Sequence, residues 1–355
     1  MVARILAAFL LIPSLPSSSA SACGAVGPSG KPVVNADQTV ILIWDAATKT
    51  QHFIRQASFK SEADDFGFLV PTPSLPELEE SGNDAFPFLL KLTEPDKRKV
   101  SRPSGGFGCG CGGASNPVTA TTAAVEVVAE KLVAGFQAVV LKADSVDALV
   151  GWLKDHGYAY SPEIEAWAKL YVEAGWKFTT LKVAKDNHGD ETNVAASALR
   201  ISFQTDRPLF PYREPDSRGS AEGLGARHRL LRIYFLGEAR YQGELTQEIA
   251  WTGKVAWANK LSAEDRSKTL ELLKLPESTG PADFWLTEFE DNWPYRVAPA
   301  DLYFARDANQ GNVERDPIIE YASSSSPVDV MAYTLAFAVV LTPWLRRFRR
   351  GNCAA

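Results

Sequence analysis

The residues whose types and spacing most suggest chemistry are Cys109 and Cys111, which flank one glycine in the run GGFGCGCGGASNP. That spacing allows both thiols to face one ligand, but a structural zinc site needs about four ligands. The chain has four histidines, and none lies in a ligand spacing such as H-x3-H. If the chain is exported, these cysteines are more usually found in a disulfide than in a metal site. We therefore expect Cys109 or Cys111 to pair with the other or with Cys23, and a metal site or redox-active thiols are the alternatives.

The histidines offer little support for general acid–base catalysis. His156 follows Asp155 at the end of a predicted helix, and as a base it would need a nucleophile and an orienting acid nearby. Ser161 is better explained as a helix N-cap. His188 lies in the polar run DNHGD, which resembles a ligand set but is also ordinary for a loop between strands. We assign no catalytic residue and no metal ligand.

Two further catalytic or cofactor patterns are missing from the sequence. There is no GxSxG motif, which weakens an α/β-hydrolase interpretation. No glycine-rich run follows a predicted strand and opens a helix, so nucleotide binding has no support. We assign no cofactor, and we favour a protein that is not an enzyme.

Residues 1–22 have the pattern of a secretion signal. Arg4 gives a positively charged start, Ile5–Leu15 is an apolar run broken only at two positions, and Ala20-Ser21-Ala22 is a small-residue cleavage site. We predict cleavage between Ala22 and Cys23, and export. A buried helix or an uncleaved anchor is the alternative. A lipid on Cys23 is disfavoured because lipoprotein sites carry a larger aliphatic residue where this chain has Ala20.

The C-terminal end carries a second apolar run. Residues 330–345 read VMAYTLAFAVVLTPWL and hold no charge. The run is shorter than the ~20 residues that cross a typical bilayer, but a basic cluster follows it at once, as in a stop-transfer segment. The cluster consists of Arg346, Arg347, Arg349 and Arg350. We predict one membrane span at 330–345, with a buried C-terminal helix as the alternative.

This span defines the predicted order of segments. Residues 323–329, which include four serines, form a flexible spacer. Residues 346–355 form a basic cytoplasmic tail with an unpaired Cys353. With a signal at the other end, the body of the protein lies outside the cytoplasm. The predicted partner is therefore the membrane, together with an unknown envelope partner or ligand.

Charge excludes one class of partner. The 355-residue chain has 37 Lys and Arg against 43 Asp and Glu. Five of the arginines lie in the predicted signal and tail, so 37 − 5 = 32 basic residues remain in the body, a net charge of about −11. An acidic body lacks the basic surface that binds phosphate backbones. We expect no nucleic-acid partner.

The stretch 125–183 is the organising centre of the predicted fold. Strands are expected at 125–132 and 136–141 around Gly135. A helix capped by Asp144 or Ser145 follows and ends at His156-Gly157. A second helix begins at Ser161-Pro162, ends at Gly175, and leads into a strand at 176–183. The second helix is expected to bury one face, formed by Ile164, Trp167, Ala168 and Tyr171.

The rest of the chain adds mainly strands. They are expected at 39–44, 51–59, 66–70, 198–204, 229–236, 248–257, 283–289 and 302–304, with helices at 84–92 and 262–273. The prolines from Pro71 onward are expected to end the third of these strands. The Gly/Ser/Pro-rich stretch 97–118 reads as an exposed loop between two halves, 23–96 and 119–322. The pattern predicts an α+β fold, mainly antiparallel, with a central helix–helix insertion and a C-terminal membrane helix.

Nine tryptophans invite a carbohydrate-binding interpretation, because flat rings stack on sugars. Trp152, Trp167 and Trp176 fall on predicted core faces, so a place in the core is the preferred interpretation.

Five motifs in order resemble one protein family. They are FGFLVPTPSLPEL, DALVGWLKDHGY, LYVEAGWKFTTLKV, ISFQTDRPLFPYR and FWLTEF. Together they resemble the bacterial envelope proteins called domain of unknown function 2330, over most of residues 23–305. The motifs are structural rather than chemical. The resemblance implies secreted or anchored proteins without an established activity, and it transfers no catalytic residue.

Two functional hypotheses follow. The first is a non-enzymatic, exported and membrane-anchored envelope protein whose ectodomain is a binding or structural module. The second is an extracytoplasmic enzyme or a thiol or metal protein that uses Cys109 and Cys111.

Overall fold

A computed structural model describes residues 24–26, 38–55, 58–59, 67–101, 126–158, 162–183, 194–195, 197–215, 229–246, 248–293 and 298–322. These residues form a mixed α+β fold in which antiparallel strands dominate and helices are few. The predicted fold class is confirmed at this level.

The described residues contain four helices. They are α1 (Ala85–Leu92), α2 (Val146–Asp155), α3 (Pro162–Glu173) and α4 (Ala263–Leu272). The strands of the first part of the chain are β1 (Gly24–Val26), β2 (Gln38–Asp45), β3 (Thr50–Arg55), β4 (Ser58–Phe59), β5 (Gly67–Thr72), β6 (Glu77–Ser81), β7 (Lys97–Ser101), β8 (Glu126–Val133) and β9 (Phe136–Lys142). Those of the second part are β10 (Lys177–Val183), β11 (Val194–Ala195), β12 (Ala198–Gln204), β13 (Leu209–Phe210), β14 (Arg229–Gly237), β15 (Tyr241–Glu244), β16 (Lys254–Lys260), β17 (Trp285–Trp293), β18 (Leu302–Arg306) and β19 (Ile318–Ala322).

The largest sheet has seven strands in the order β16-β17-β14-β2-β3-β12-β6. All its pairings are antiparallel except β2 with β14. Strand β2 lies at its centre, and Val40–Ile43 are fully buried. Alternate residues of a strand point to opposite faces, and here Val40 and Leu42 join one core cluster while Ile41 and Ile43 join another. The uninterrupted apolar run of β2 therefore reflects burial on both faces.

The second sheet has five strands in the order β1-β5-β10-β9-β8, all antiparallel. Strands β9 and β10 are neighbours, so the α2–α3 pair is an insertion between two adjacent strands, as predicted. Strand β10 is buried on both faces, as its sequence indicated. Phe178 packs with the helices, and Leu181 packs with residues of the seven-stranded sheet.

These clusters define four layers. One core cluster contains Phe53 of the large sheet and Phe136 of the second sheet, and therefore lies between the two sheets. A second cluster joins the outer face of the five-stranded sheet to α2 and α3. A third joins the outer face of the seven-stranded sheet to α1 and α4. The order is helices, sheet, sheet, helices.

A separate compact unit is formed by two strands. The chain divides into Met1–Glu94 with Cys111–Arg315, and Pro95–Gly110 with Asp316–Ala355. In the described part of the second unit, β7 and β19 pair in parallel. Residues 97–101, which were expected to lie within a loop, form β7.

Helix ends follow the local signals in the sequence. The Ser145 and Ser262 hydroxyls accept hydrogen bonds from the N–H groups of Ala148 and Asp265, which confirms both caps. Gly157 and Gly175 end α2 and α3, as predicted, and both adopt positive φ. The predicted cap Ser161 lies outside the described residues.

Several strand predictions were wrong in their bounds, and the structure explains two of them. Strand β5 continues through Pro71, which pairs with Phe178 of β10. Since β1 pairs only with 67–69, β5 is an edge strand at Pro71 within the described part, where a missing N–H is tolerated. The strand expected at 248–257 begins only at Lys254. The residues before it are held by side-chain bonds of Trp251 and Thr252 rather than by a ladder.

Within the part of the chain that the structure describes, no helix is both long enough and apolar enough to cross a bilayer. The predicted membrane segment at 330–345 lies outside those residues and stays a prediction.

Candidate functional site

Most residues singled out for chemistry lie outside the described residues. This group comprises Cys109, Cys111, Cys353, His188, the cleavage pair Ala22 and Cys23, and the basic cluster Arg346, Arg347, Arg349 and Arg350. Among the residues that are described, no group of three or more His, Cys, Asp or Glu side chains is placed to hold a metal ion.

His156 has a structural role at the end of α2. Its ring stacks on Trp152, with centroids 3.9 Å apart and planes 12° from parallel. Its Nδ1–H donates to the carbonyl oxygen of Trp152 at 2.8 Å. Trp152 and Trp167 are both buried, at 4% exposure each. The core interpretation of these tryptophans is therefore correct.

A histidine–serine pair was not predicted, because its two residues are 150 positions apart in the sequence. His52 of β3 lies opposite Ser202 of β12, and their Nδ1 and Oγ atoms share a hydrogen bond of 2.8 Å. Burial and, to a lesser degree, the nearby cation of Arg200 lower the pKa of His52 to about 4, against smaller opposing effects of Asp45 and Glu79. An imidazole with so low a pKa is a weak base. We therefore interpret the pair as a structural hydrogen bond between β3 and β12.

Within the described residues, an open groove beside α3, with a volume of about 480 Å³, is a candidate binding site. We call it the α3 groove. Its apolar lining comes from one face of the helix and from the residues before β18. It consists of Pro162, Ala166, Trp167, Leu170, Ala298 and Pro299. Glu163, Arg213 and Glu214 add polar groups. A mostly apolar cleft of this size with a few polar groups is typical of small-molecule sites.

Helix α3 explains why this wall is apolar. Ile164, Trp167, Ala168 and Tyr171 are buried against the five-stranded sheet, as the sequence predicted. Leu170 lies off that stripe and is 47% exposed. Ala166 is also exposed and stands four residues before it, on the same side of a helix. This second, outward apolar pair was the signal in the sequence that could have indicated a groove.

The opposite wall is the segment after β13, and two buried acids hold it. Asp291 is fully buried and accepts hydrogen bonds from the hydroxyl of Tyr212 at 2.7 Å and from Trp251 Nε1 at 3.0 Å. Asp301 is 5% exposed and accepts from the backbone N–H of Arg213 at 3.2 Å. Consecutive residues of the wall are thus fixed to two different acids.

The floor of the groove joins this wall to the helix. Tyr171 donates to Asp301 Oδ1 at 2.7 Å, and Trp167 Nε1 donates to the carbonyl oxygen of Arg213 at 3.0 Å. Burial raises the pKa of the Asp301 carboxyl, while the bonds from Tyr171 and Arg213 oppose that rise. Arg213 Nε lies 4.0 Å from Asp301 Oδ2, and the Arg213 side chain is 27% exposed. The groove therefore has a fixed shape with one partly exposed guanidinium.

The fold places the chain in the class of mixed α+β proteins built mainly of antiparallel strands. Residues 17–305 match the model of the bacterial family described as "Uncharacterized protein conserved in bacteria (DUF2330)". The chain belongs to this family, and the resemblance stated from the five motifs is confirmed.

Other comparisons add no functional information. No curated protein matches the sequence at a significant level. Among solved structures, the crystal structure of baculovirus P35 aligns with a TM-score of 0.31 and 10% identity, over 79% of this chain and 96% of that one. A score this low supports no inference about fold or function.

Proposed function

We propose that the protein is an exported envelope protein, held in the membrane by residues 330–345, whose ectodomain binds a small ligand in the α3 groove. The signal pattern at 1–22 and the apolar run before Arg346 support the location. The observation that carries the binding role is the groove itself, an apolar cleft of about 480 Å³ whose two walls are joined by a buried and a half-buried hydrogen bond.

The chemistry of the groove indicates the class of ligand. The apolar lining fits a flat or aliphatic body, and burial of such a body is the main source of affinity. Arg213 is the cationic group at the groove, and its guanidinium pairs with an anionic substituent. We propose a ligand with an apolar body and one acidic group.

Two related probes test this proposal in the chain ending at Ala322, after near-UV circular dichroism has shown that it is folded. Anilinonaphthalene sulfonate carries an acidic group, and N-phenylnaphthylamine has the same aromatic body without it. Ala166→Trp fills the groove, and we expect it to weaken both probes at least about tenfold, a loss of roughly 1.4 kcal/mol. Arg213→Gln should weaken only the sulfonate.

The matched control is Leu90→Trp, which places the same indole at an exposed position on α1. It should leave both affinities unchanged. If Ala166→Trp and Leu90→Trp bind the two probes equally well, the α3 groove is not the site. If Arg213→Gln affects both probes alike, the acidic group is not part of recognition.

The thiols remain a separate prediction. We expect Cys109 or Cys111 to be in a disulfide, with each other or with Cys23, because an exported protein matures in an oxidising compartment. Thiol titration of the native protein exported by its own signal should find these cysteines unreactive until a strong reductant is added. Thiols that react freely, or a disulfide reduced at mild potential, would favour the alternative thiol or metal protein.

A further inference from the structure

A buried carboxyl lies beside the cation of the α3 groove. Asp301 is 5% exposed, and its Oδ2 atom is 4.0 Å from Nε of Arg213. This distance gives an ion pair but is too long for a hydrogen bond. Among the described residues, Arg213 Nε is buried without a hydrogen-bond partner. The charge of Asp301 therefore acts on a guanidinium whose N–H groups are not bonded to that carboxyl.

Other contacts hold Arg213 in place. Its backbone N–H donates to Asp301 Oδ1 at 3.2 Å, and its carbonyl oxygen accepts from Trp167 Nε1 at 3.0 Å. Tyr171 donates to the same Oδ1 at 2.7 Å. A protonated carboxyl keeps an oxygen that accepts these two bonds. The charge of Asp301 can therefore change while the wall of the groove stays fixed.

Asp301 takes up a proton closer to neutral pH than an ordinary aspartate. Burial raises the pKa of its carboxyl above the usual 3.8, and the bonds from Tyr171 and Arg213 oppose the rise. The other ionisable side chains that act on it, respond to it or line the groove are Tyr171, Arg213, Tyr303, Glu163 and Glu214. Tyrosine and arginine keep their charge state in the acidic range. The acids are therefore the groups of this set that titrate below neutral pH.

An ionised Asp301 repels an acidic group that binds Arg213. Because the carboxyl and the guanidinium already form an ion pair, a ligand acid bonded to that guanidinium lies within about 10 Å of Asp301. At the dielectric constant typical of a partly buried site, two like charges this close change an affinity by at least about tenfold. Protonation of Asp301 removes this repulsion and leaves the charge of Arg213 to the ligand.

We propose that Asp301 sets the affinity of the α3 groove for its acidic ligand, weakening binding when it is ionised and strengthening binding when it is protonated. It is a positioning residue, since it acts through the charge that it adds beside Arg213. The proposal rests on the proposed function, because it concerns a ligand bound in the same groove. The ligand is then held more tightly at acidic pH and released toward neutral pH.

The first test measures the affinities of anilinonaphthalene sulfonate and N-phenylnaphthylamine at about pH 7 and about pH 4.5. It uses the full chain in a neutral detergent, and Ala166→Trp is the blank for probe held by the micelles. The sulfonate is charged at both pH values, and its affinity should rise at least about fivefold at the lower one. The affinity of the neutral probe should stay the same. An equal change for both probes, or a constant affinity for the sulfonate, overturns the proposal.

A variant without the charge assigns the effect to Asp301. Asp301→Asn keeps an oxygen for Tyr171 and Arg213, so at about pH 7 it should bind the sulfonate at least about fivefold more tightly than the wild type. It should also lose most of the pH dependence. The control Glu173→Gln removes an exposed acid at the other end of α3 and should retain that dependence. The same pH dependence in Asp301→Asn as in the wild type, or its loss in Glu173→Gln, contradicts the role of Asp301.

Tyr171→Phe gives a second test that holds even if Asp301→Asn does not fold. The Tyr171 bond lowers the pKa of Asp301, so without the hydroxyl the rise in sulfonate affinity should begin at a higher pH than in the wild type. Loss of packing alone would weaken binding without moving this midpoint upward. A midpoint that is unchanged or lower speaks against the proposal.

Failure of the groove itself gives a different result. In that case the wild type and Ala166→Trp bind both probes equally at each pH, and both proposals are wrong. Binding that Ala166→Trp blocks, but that does not depend on pH, supports the groove and removes the role of Asp301.

Discussion

Two buried aspartates hold the segment after β13 in place through hydrogen bonds. Asp291 accepts hydrogen bonds from the side chains of Tyr212, Trp251 and Thr252, the last at 2.8 Å. Asp301 binds Tyr171 and the backbone of Arg213. Buried carboxylates are tolerated where such bonds satisfy them. Each therefore fixes the irregular segment that forms one wall of the α3 groove.

His52 gives a pH-dependent contribution whose sign follows from its lowered pKa. Its pKa is about 4 in the folded chain and 6.5 when unperturbed. Between these values the unfolded state binds more protons, so the free energy of unfolding falls as pH drops from 6.5 toward 4. The full effect is on the order of 3 kcal/mol. Urea denaturation across this range should therefore show a steeper loss for the wild type than for His52→Gln.

The Gln variant is a suitable control because its amide can still bond Ser202 but takes up no proton. Carboxylates titrate in both proteins, so the difference between the two curves reports His52. Parallel curves would show that the histidine titrates alike in the folded and unfolded states.

At the scale of elements, three helices end in the same hydrogen-bond pattern. After α3, the N–H of Gly175 bonds the carbonyl of Val172, and the N–H of Trp176 bonds that of Tyr171. This is a Schellman motif, which needs a residue at positive φ. Helix α2 uses Gly157 in the same position, and α4 uses Lys274 with φ 56°. The motif turns the chain from α3 directly into β10.

Gly175 isolates the backbone contribution to this turn. Its φ is 73°, and an added Cβ would meet no heavy atom within 4 Å. We therefore expect Gly175→Ala to lower the free energy of unfolding by about 1 kcal/mol through left-handed strain alone. Gly175→Asn should cost less, since Asn tolerates this region better. Urea denaturation measures both, and an alanine variant as stable as the wild type would refute the strain argument.

An element can be predicted from the sequence when the residues that determine it are close together in the chain. The ends of α2 and α3 were predictable because Gly157 and Gly175 are the residues that such turns favour. The end of α4 was placed correctly, but its use of Lys274 at positive φ was not foreseen. Strand β7 was missed because its partner β19 lies 221 residues later, and nothing within KRKVS indicates a strand.

Only one wall of the α3 groove could be predicted from the sequence. The helix and its buried face followed from periodicity, and Leu170 was visible as an apolar residue off the stripe. The second wall was not predictable, because it depends on bonds from Tyr212 and Arg213 to acids about 80 to 90 residues away. A groove between distant segments is a property of tertiary packing, which the local pattern does not encode.

At the scale of the whole molecule, the chain leaves its first unit from a fixed point. Arg315 lies 2.7 Å from Glu288 and 2.8 Å from Glu290, both on β17, and Arg232 pairs with the same two acids. Glu288 is fully buried, so this arginine is held by a desolvated partner. Strand β19 begins three residues later. The first unit therefore ends at a residue whose side chain two acids hold in place.

The proposal of an exported and anchored protein is tested most directly by fractionating cells that express the full chain or a chain ending at Ser326. If residues 330–345 span the bilayer as proposed, the full chain stays in the membrane fraction and protease added from outside cuts its ectodomain. The shorter chain should be exported and soluble. If both chains are recovered in the same soluble fraction, or if the ectodomain of the full chain is protected from external protease, the account is contradicted.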